Sequence, residues 1–196
     1  MRSRSYHHGD LPATLLARAE KTVRERGVQA LSLRELARDI GVSPAAPNRH
    51  FTSKQDLLDA VALRGFQRLA RAVEQACADA GETFPERLGA VARAYLGFAA
   101  ANGTLLDLMF DDRRGPERPP RLHEAARNWY DQVVMLVADG QNTGEVRQGA
   151  PDRVALPVLA ALRGCARLQS DGALPGELIE HGVDDLVTAV VRGCAP

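Results

Sequence analysis

The chain has 196 residues, 45% hydrophobic, 26% charged and only 5% aromatic, a balance that excludes wholesale disorder and, with its heavy alanine usage, favours helix over sheet. The formal net charge of zero hides an asymmetry: residues 1–69 carry 12 Lys/Arg against 7 Asp/Glu, and the rest of the chain carries the opposite excess, so a polyanion site is expected in the N-terminal third. Cys77, Cys165 and Cys194 are far apart, the first ten residues hold no apolar signal region, and the longest apolar stretch, Val154 to Leu162, cannot cross a bilayer; a reduced, soluble, cytoplasmic protein with no membrane partner is expected.

Leu11, Leu15, Ala19 and Val23 recur every four residues and predict a first helix that stops at Gly27. Ser32-Leu-Arg-Glu35 reads as a capping box, and Leu33, Leu36, Ala37 and Ile40 hold one face of a two-turn helix that ends at Gly41. Ser43-Pro44 predicts the next helix start, and Pro47 keeps that helix short. Ser53-Lys-Gln-Asp56 opens a long helix through Leu57, Leu58, Val61, Phe66 and Leu69 to about Ala80. After a turn at Gly81–Pro85, Leu88, Val91, Ala92, Tyr95, Phe98 and Ala99 mark a helix, followed by a short one at Thr104–Phe110. The charged, proline-rich stretch Asp111–Pro120 reads as a loop. Leu122, Ala125, Ala126, Trp129, Val133, Leu136 and Val137 form one amphipathic stripe, and Asn142–Pro151 is a further loop. Val154 to Leu162 is apolar all round, so its helix is expected to be buried on more than one face. Leu178, Ile179, Val183, Leu186, Val187, Val190 and Val191 give the last helix a wide apolar stripe. No repeat and no strand emerges; the expected fold is all-α, with about nine helices.

Two short helices joined by Gly41-Val42-Ser43 behind a longer first helix have helix-turn-helix spacing, and glycine supplies the positive φ such a turn requires. The second helix can lie in a major groove, where it offers Ala45, Ala46, Pro47, Asn48, Arg49 and His50. An ordinary helical hairpin has the same spacing; the basic N-terminal third tilts the reading towards DNA.

Tyr6-His-His-Gly-Asp-Leu11, Ser32-Leu-Arg-Glu-Leu-Ala-Arg38, Gly41-Val-Ser43, Ala45-Ala-Pro47, Arg49-His-Phe51, Lys54 and Leu57-Leu58 together resemble the DNA-binding domain of TetR-family transcriptional regulators. Phe98-Ala99, Asn102 and Leu108-Met-Phe110 are similar to the ligand-binding region of one branch of that family. The resemblance implies that Arg34 faces DNA, that Ala45, Ala46 and Asn48 approach bases or backbone, and that His50 and Lys54 meet phosphates, while Phe51 is core. Ser43 and Arg49 complete the expected DNA-facing set. Asn48 stands where the family usually has a phosphate-touching tyrosine; the shorter asparagine either loses that contact or reads adenine N6/N7.

Competing readings are weaker. Arginine supplies 23 of the 25 basic residues, which fits bidentate recognition but equally a GC-rich coding bias. His7-His8 as metal ligands, and Arg2 and Arg4 as a minor-groove arm, compete with a plain mobile tail. Cys165 and Cys194 as redox sensors compete with small core hydrophobes. Asp107, Asp111, Asp112, His123 and Glu124 could form an acid–base group only on paper, since no nucleophile motif, phosphate loop or metal spacing accompanies them; Asp111-Asp-Arg-Arg114 reads as a solvated charge run. No enzyme activity, cofactor or metal is expected.

The expected organisation is a helix-turn-helix DNA-binding domain at 1–52, a connecting helix at 53–80 and a ligand-binding and dimerisation domain at 81–196. The last two helices carry more apolar surface than one packing face hides, and the resemblance implies a four-helix bundle between two subunits, with Val158, Leu162, Cys165, Ile179, Val183 and Val187 at a homodimer interface. Tyr95, Phe98, Leu105, Met109, Phe110, Trp129, Tyr130 and Val133 lie on compatible apolar faces of successive helices, and the resemblance implies an inducer cavity there, suited to a small, mostly apolar effector. These readings converge on a repressor released from a pseudo-palindromic double-stranded DNA operator by a small molecule. A ligand-independent regulator whose body only dimerises, and a small-molecule carrier with a vestigial DNA head, are the alternatives. Operator sequence, effector identity and regulated genes are left open.

Overall fold

The computed structural model describes residues 11–111, 118–173 and 176–196, the side chains of 176–181 excepted. Tyr6–Asp10, His7-His8, Arg2, Arg4, the Asp112–Arg114 charges and the Ile179 side chain therefore lie outside the described residues. The described α-helices are α1 (Leu11–Arg26), α2 (Leu33–Asp39), α3 (Lys54–Ala78), α4 (Phe84–Ala101), α5 (Gly103–Met109), α6 (Pro120–Asn142), α7 (Pro151–Ser170) and α8 (Gly176–Cys194). Short 3-10 turns at Val28–Ala30 and Pro47–Arg49 complete the order, and no described residue is in a strand. None of these helices is long and apolar enough to cross a membrane.

The expected α-helix after Ser43-Pro44 does not form, which leaves eight α-helices among the described residues where about nine were expected. In its place Ala46 N–H donates to the Ser43 carbonyl (3.0 Å), Arg49 N–H to Ala46 (3.3 Å) and His50 N–H to Pro47 (2.9 Å). These are three-residue, 3-10-type bonds. Pro47 has no N–H to give to Ser43, so the first α-type bond of the segment is missing and the tighter winding prevails.

The chain divides into two compact units: residues up to Arg64 with Thr104–Leu122, and Gly65–Gly103 with His123–Pro196. These boundaries are drawn differently from the three expected segments, because α3 contributes to both units and α5 groups with the N-terminal residues.

In the first unit the four-residue repeat of α1 does what its spacing predicts: Leu15, Ala19 and Val23 are fully buried. Leu31, Leu36, Ala37, Leu57 and Val61 are buried in the same unit. Ser32 Oγ caps α2 by accepting from Glu35 N–H at 3.5 Å. At its other end Gly41 N–H donates to the Arg38 carbonyl and Val42 N–H to Ala37, the paired bonds of a Schellman stop. Gly41 has φ +74°, a conformation that side chains with a Cβ resist. Arg18 Nη2 meets Asp39 Oδ2 at 2.6 Å and pins α1 to α2; that hydrogen bond is the main reason the Asp39 carboxyl sits below its ordinary pKa.

In the second unit α4 packs against α7 and α8. A capping box unseen in the sequence starts α4: Thr83 Oγ1 accepts from Glu86 N–H at 3.4 Å, and Glu86 Oε2 accepts from Thr83 N–H at 3.1 Å. The Thr83 hydroxyl beside Glu86 holds that carboxyl below its ordinary pKa. The expectation that α7 is buried on several faces fails. Val154, Ala155, Val158, Leu162 and Ala166 form a single inward stripe, and Leu156 is 61% exposed. Nonpolar composition cannot distinguish an inward from an outward leucine when both faces of a helix are apolar.

Gly140 of α6 is a close-approach glycine. A Cβ there would lie 2.6 Å from Val146 Cγ2 and 2.9 Å from the Phe84 ring. Both neighbours are buried, and Phe84 N–H is tied to Glu145 Oε2 at 2.9 Å. Gly140→Ala is expected to destabilise, because overpacking of about 1–3 kcal/mol exceeds the ~1 kcal/mol that alanine gains in helix propensity. Urea unfolding checks the sign; an alanine variant as stable as the wild type would show that Phe84 moves freely.

Candidate functional site

The first turn of α2, the turn after it and the 3-10 segment present exposed residues. Arg34, Ser43, Ala45, Asn48, Arg49 and His50 are exposed, while Ala46 is half-buried. Pro47 and Phe51 face inward, Phe51 at 8% exposure, and Phe51 N–H donates to the Pro47 carbonyl at 2.9 Å. The two inward residues anchor the segment, so the residues around them are held outward. Phe51 is thus in the core, where the family resemblance implies it.

Directly after Phe51, Thr52-Ser53 starts α3. Ser53 Oγ accepts from Asp56 N–H at 3.0 Å, and Asp56 Oδ2 accepts from Thr52 N–H at 3.0 Å as well as from the Thr52 hydroxyl. The Thr52 hydroxyl leads the groups that keep the Asp56 carboxyl below its ordinary pKa. Lys54 is half-buried, and its Nζ donates to the Gln29 carbonyl at 3.2 Å. A phosphate reaching Lys54 would therefore share or replace that carbonyl.

The residues expected to line an effector cavity divide between the units. Leu105, Met109 and Phe110 belong to the first; Tyr95, Phe98, Trp129, Tyr130 and Val133 belong to the second. Tyr95 and Trp129 stack on each other, ring centroids 4.9 Å apart and planes 13° from parallel, and both are buried. Burial pushes the Tyr95 phenol up in pKa, while the positive charge of Arg163 and, less, its hydrogen bond pull the other way. Phe98 is buried beneath the Arg68 guanidinium, 5.6 Å from its ring centroid. Tyr130 is half-buried.

A cavity of about 320 Å³ lies in the second unit, walled by the last third of α3, the start of α4 and the second half of α6. Val133 is the one expected residue in its wall. The others, among them Glu74, Arg87, Gln132 and Asp139, were missed because an apolar stripe marks core positions and passes over polar residues one step aside. The available signal was spacing: Gln132, Leu136 and Asp139 fall on one face of α6 at i, i+4 and i+7.

Of the expected dimer residues, Val158 and Leu162 are buried within the single chain, at 1% and 3% exposure. Neither presents surface to a partner unless the chain opens. Cys165, Val183 and Val187 are half-buried, and burial raises the Cys165 thiol pKa. The outward apolar residues of α7 are instead Leu156 and Leu168, 61% and 45% exposed, with exposed Ala160 and Gly164 between them at four-residue spacing.

The sequence profile described as bacterial regulatory proteins, tetR family, matches residues 15–61, and the profile described as tetracyclin repressor-like, C-terminal domain, matches residues 88–193. A solved protein of unknown function from Rhodococcus sp. RHA1 is 41% identical, covers 99% of this chain and 100% of its own, and superposes with a TM-score of 0.88. A bacterial regulatory protein in the tetR family from Rhodococcus RHA1, 22% identical over 94% of this chain and 97% of its own, shares the fold with a TM-score of 0.71. An HTH-type transcriptional regulator of Mycobacterium tuberculosis is 26% identical over 140 residues, 70% of this chain but 60% of that relative's length. With both profiles matched in order, one over the helix-turn-helix segment and one over the helices behind it, the chain belongs to the TetR family of bacterial regulatory proteins, a family of transcriptional regulators and not of enzymes.

Proposed function

We propose that this protein is a cytoplasmic, sequence-specific DNA-binding repressor that grips a pseudo-palindromic operator as a homodimer and leaves it when a small, mostly apolar molecule binds the second unit. The observation that carries the reading is the exposed edge from Ser43 to His50, held outward by buried Pro47 and Phe51 and followed by Lys54 at the start of α3. In this reading Arg34, Ser43, Arg49, His50 and Lys54 meet the backbone, and Ala45, Ala46 and Asn48 lie at or near base edges. Family membership supports it, and so does a cavity within the usual size range for small-ligand sites.

α3 runs unbroken from Lys54 to Ala78, so one helix carries both a DNA-facing residue and a cavity wall. Release requires that the ligand bind the DNA-incompetent state more tightly, because equal affinity for both states shifts nothing.

The test is footprinting on the DNA that flanks the protein's own gene. A protected site with two-fold related half-sites is expected, and a compound that occupies the cavity should abolish the protection. No protected site at moderate salt would overturn the regulator reading; protection that no cavity-binding compound disturbs would overturn ligand release.

A further inference from the structure

The wall of the second-unit cavity is not chemically neutral. Its bulk is apolar, with Val73, Val91, Val133 and Leu136 among the lining residues. Three charged groups edge it. Arg87 Nη1 and Asp139 Oδ2 are 3.7 Å apart and balance each other. Glu74 is left with a neutral partner, accepting at Oε1 from Gln132 Nε2 at 3.2 Å, and it has no ion pair among the described residues. An ionised carboxylate only accepts, which fixes the Gln132 amide: its N–H₂ must face Glu74 and its oxygen must face away. That oxygen, Gln132 Oε1, is buried and receives no hydrogen bond in the described structure. A buried acceptor without a donor has lost its water and gained nothing in return, so it is destabilising until a donor reaches it. The cavity thus combines an apolar interior, an exposed carboxylate at its rim with no ion pair among the described residues, and a half-buried amide beside it whose oxygen lacks a donor.

We propose that this cavity is a binding site for an organic ammonium ion, a primary or secondary amine on a compact apolar body. One N⁺–H would donate to Glu74, a second would reach Gln132 Oε1 once the half-buried Gln132 side chain turns that buried oxygen towards the ligand, and the apolar body would fill the space between α3, α4 and α6. An anionic ligand of the same shape would meet Glu74 with like charge and offer Gln132 no donor. An alcohol could serve Gln132 but would leave the Glu74 charge unbalanced. The inference refines the ligand half of the proposed function by naming a ligand class, and it rests on the second unit being a ligand-binding body; it needs nothing from the DNA-binding edge.

The test is calorimetric titration of the full chain near neutral pH with three molecules that share one body: 4-phenylbutylamine, 4-phenylbutan-1-ol and 4-phenylbutyrate. The amine should saturate one site per chain and bind about two- to fivefold tighter than the alcohol, the margin an ion pair at an exposed carboxylate supplies. The carboxylate should bind weakest. Glu74 is exposed, so Glu74→Gln should leave the fold intact, erase the amine's margin over the alcohol and spare alcohol binding. Gln132→Leu should weaken amine and alcohol together. Equal or tighter binding of the carboxylate, no saturable binding by any of the three, or an amine margin that survives Glu74→Gln would overturn the proposal. Operator DNA is absent from this assay. An amine that binds with the expected variant dependence yet leaves footprinting unchanged would overturn ligand release while the amine site stands.

Discussion

Operator affinity is expected to fall about 10³-fold between 50 and 200 mM salt. Three arginine or lysine residues, Arg34, Arg49 and Lys54, lie on or beside the exposed edge, so a dimer brings about six phosphate contacts, and each contributes a slope of roughly 0.9 log units per log unit of salt. Lys54→Ala should reduce the slope by about one for each protomer and weaken all sequences by a similar factor, because a phosphate contact carries no base information. That variant also removes the Nζ bond to the Gln29 carbonyl, so its melting temperature must be measured beside its affinity. Asn48→Ala is the more informative change. Asn48 is exposed, and its truncation should leave stability unchanged. If asparagine reads an adenine, the variant loses about 1–3 kcal/mol of discrimination at one base pair only. If it has merely taken over a tyrosine's backbone contact, affinity drops uniformly and the preferred sequence is kept. Binding that ignores both salt and sequence on DNA from the protein's own locus would remove the basis for calling this edge a reading head.

Where sequence reasoning succeeded, a short-range rule decided the outcome. Leu15, Ala19 and Val23 repeat at helical spacing and are fully buried; Ser32 caps α2; Gly41 makes the positive-φ stop. Each of these depends on residues within one or two turns of itself. The 3-10 segment at Pro47–Arg49 shows the limit of such rules. Ser43-Pro44 is a sound start signal and Pro47 a sound break signal, and only the structure shows that the break removes the α-helix altogether. The failures at α7 and in the cavity have a different origin. Leu156 and Val158 are equally apolar and two residues apart, yet one is 61% and the other 1% exposed, because the helices that pack on α7, α4 and α8, leave its other face uncovered. Tyr95 and Trp129 were legible as buried aromatics, but the sequence carries no sign that they stack on each other, 34 positions apart. Glu74 and Gln132 stand 58 positions apart, and neither has an unusual neighbour in sequence; only the packing of α3 beside α6 makes a polar pair of them.

Leu156→Glu is expected to yield folded monomers that have lost most of their operator affinity, whereas Val158→Glu is expected to unfold the chain. The contrast follows from burial. Leu156 is exposed, so a carboxylate there stays hydrated and costs the protomer little, while at Val158 it would be stranded in the core, where an unpaired charge costs several kcal/mol. Leu156, Ala160, Gly164 and Leu168 share one face of α7, and large exposed leucines flanking two small residues suit a helix that packs closely on a second copy of itself. A Cβ at Gly164 meets nothing within 4 Å in the chain, so Gly164→Leu should be tolerated by the protomer and resisted only by a partner. Val187 of α8 is half-buried, and Val187→Glu should also dissociate the dimer, at a greater cost to the protomer than Leu156→Glu. Once separated, each monomer binds one half-site without the effective concentration its partner supplied, a loss of about 10²–10⁴ in affinity. Light scattering gives the mass and circular dichroism the fold, so the two variants can be told apart independently of DNA. A wild-type protein that is a monomer at micromolar concentration would remove the dimer altogether; a Leu156→Glu variant that remains a dimer while Val158→Glu dissociates without unfolding would mean that the two faces of α7 have been assigned the wrong way round.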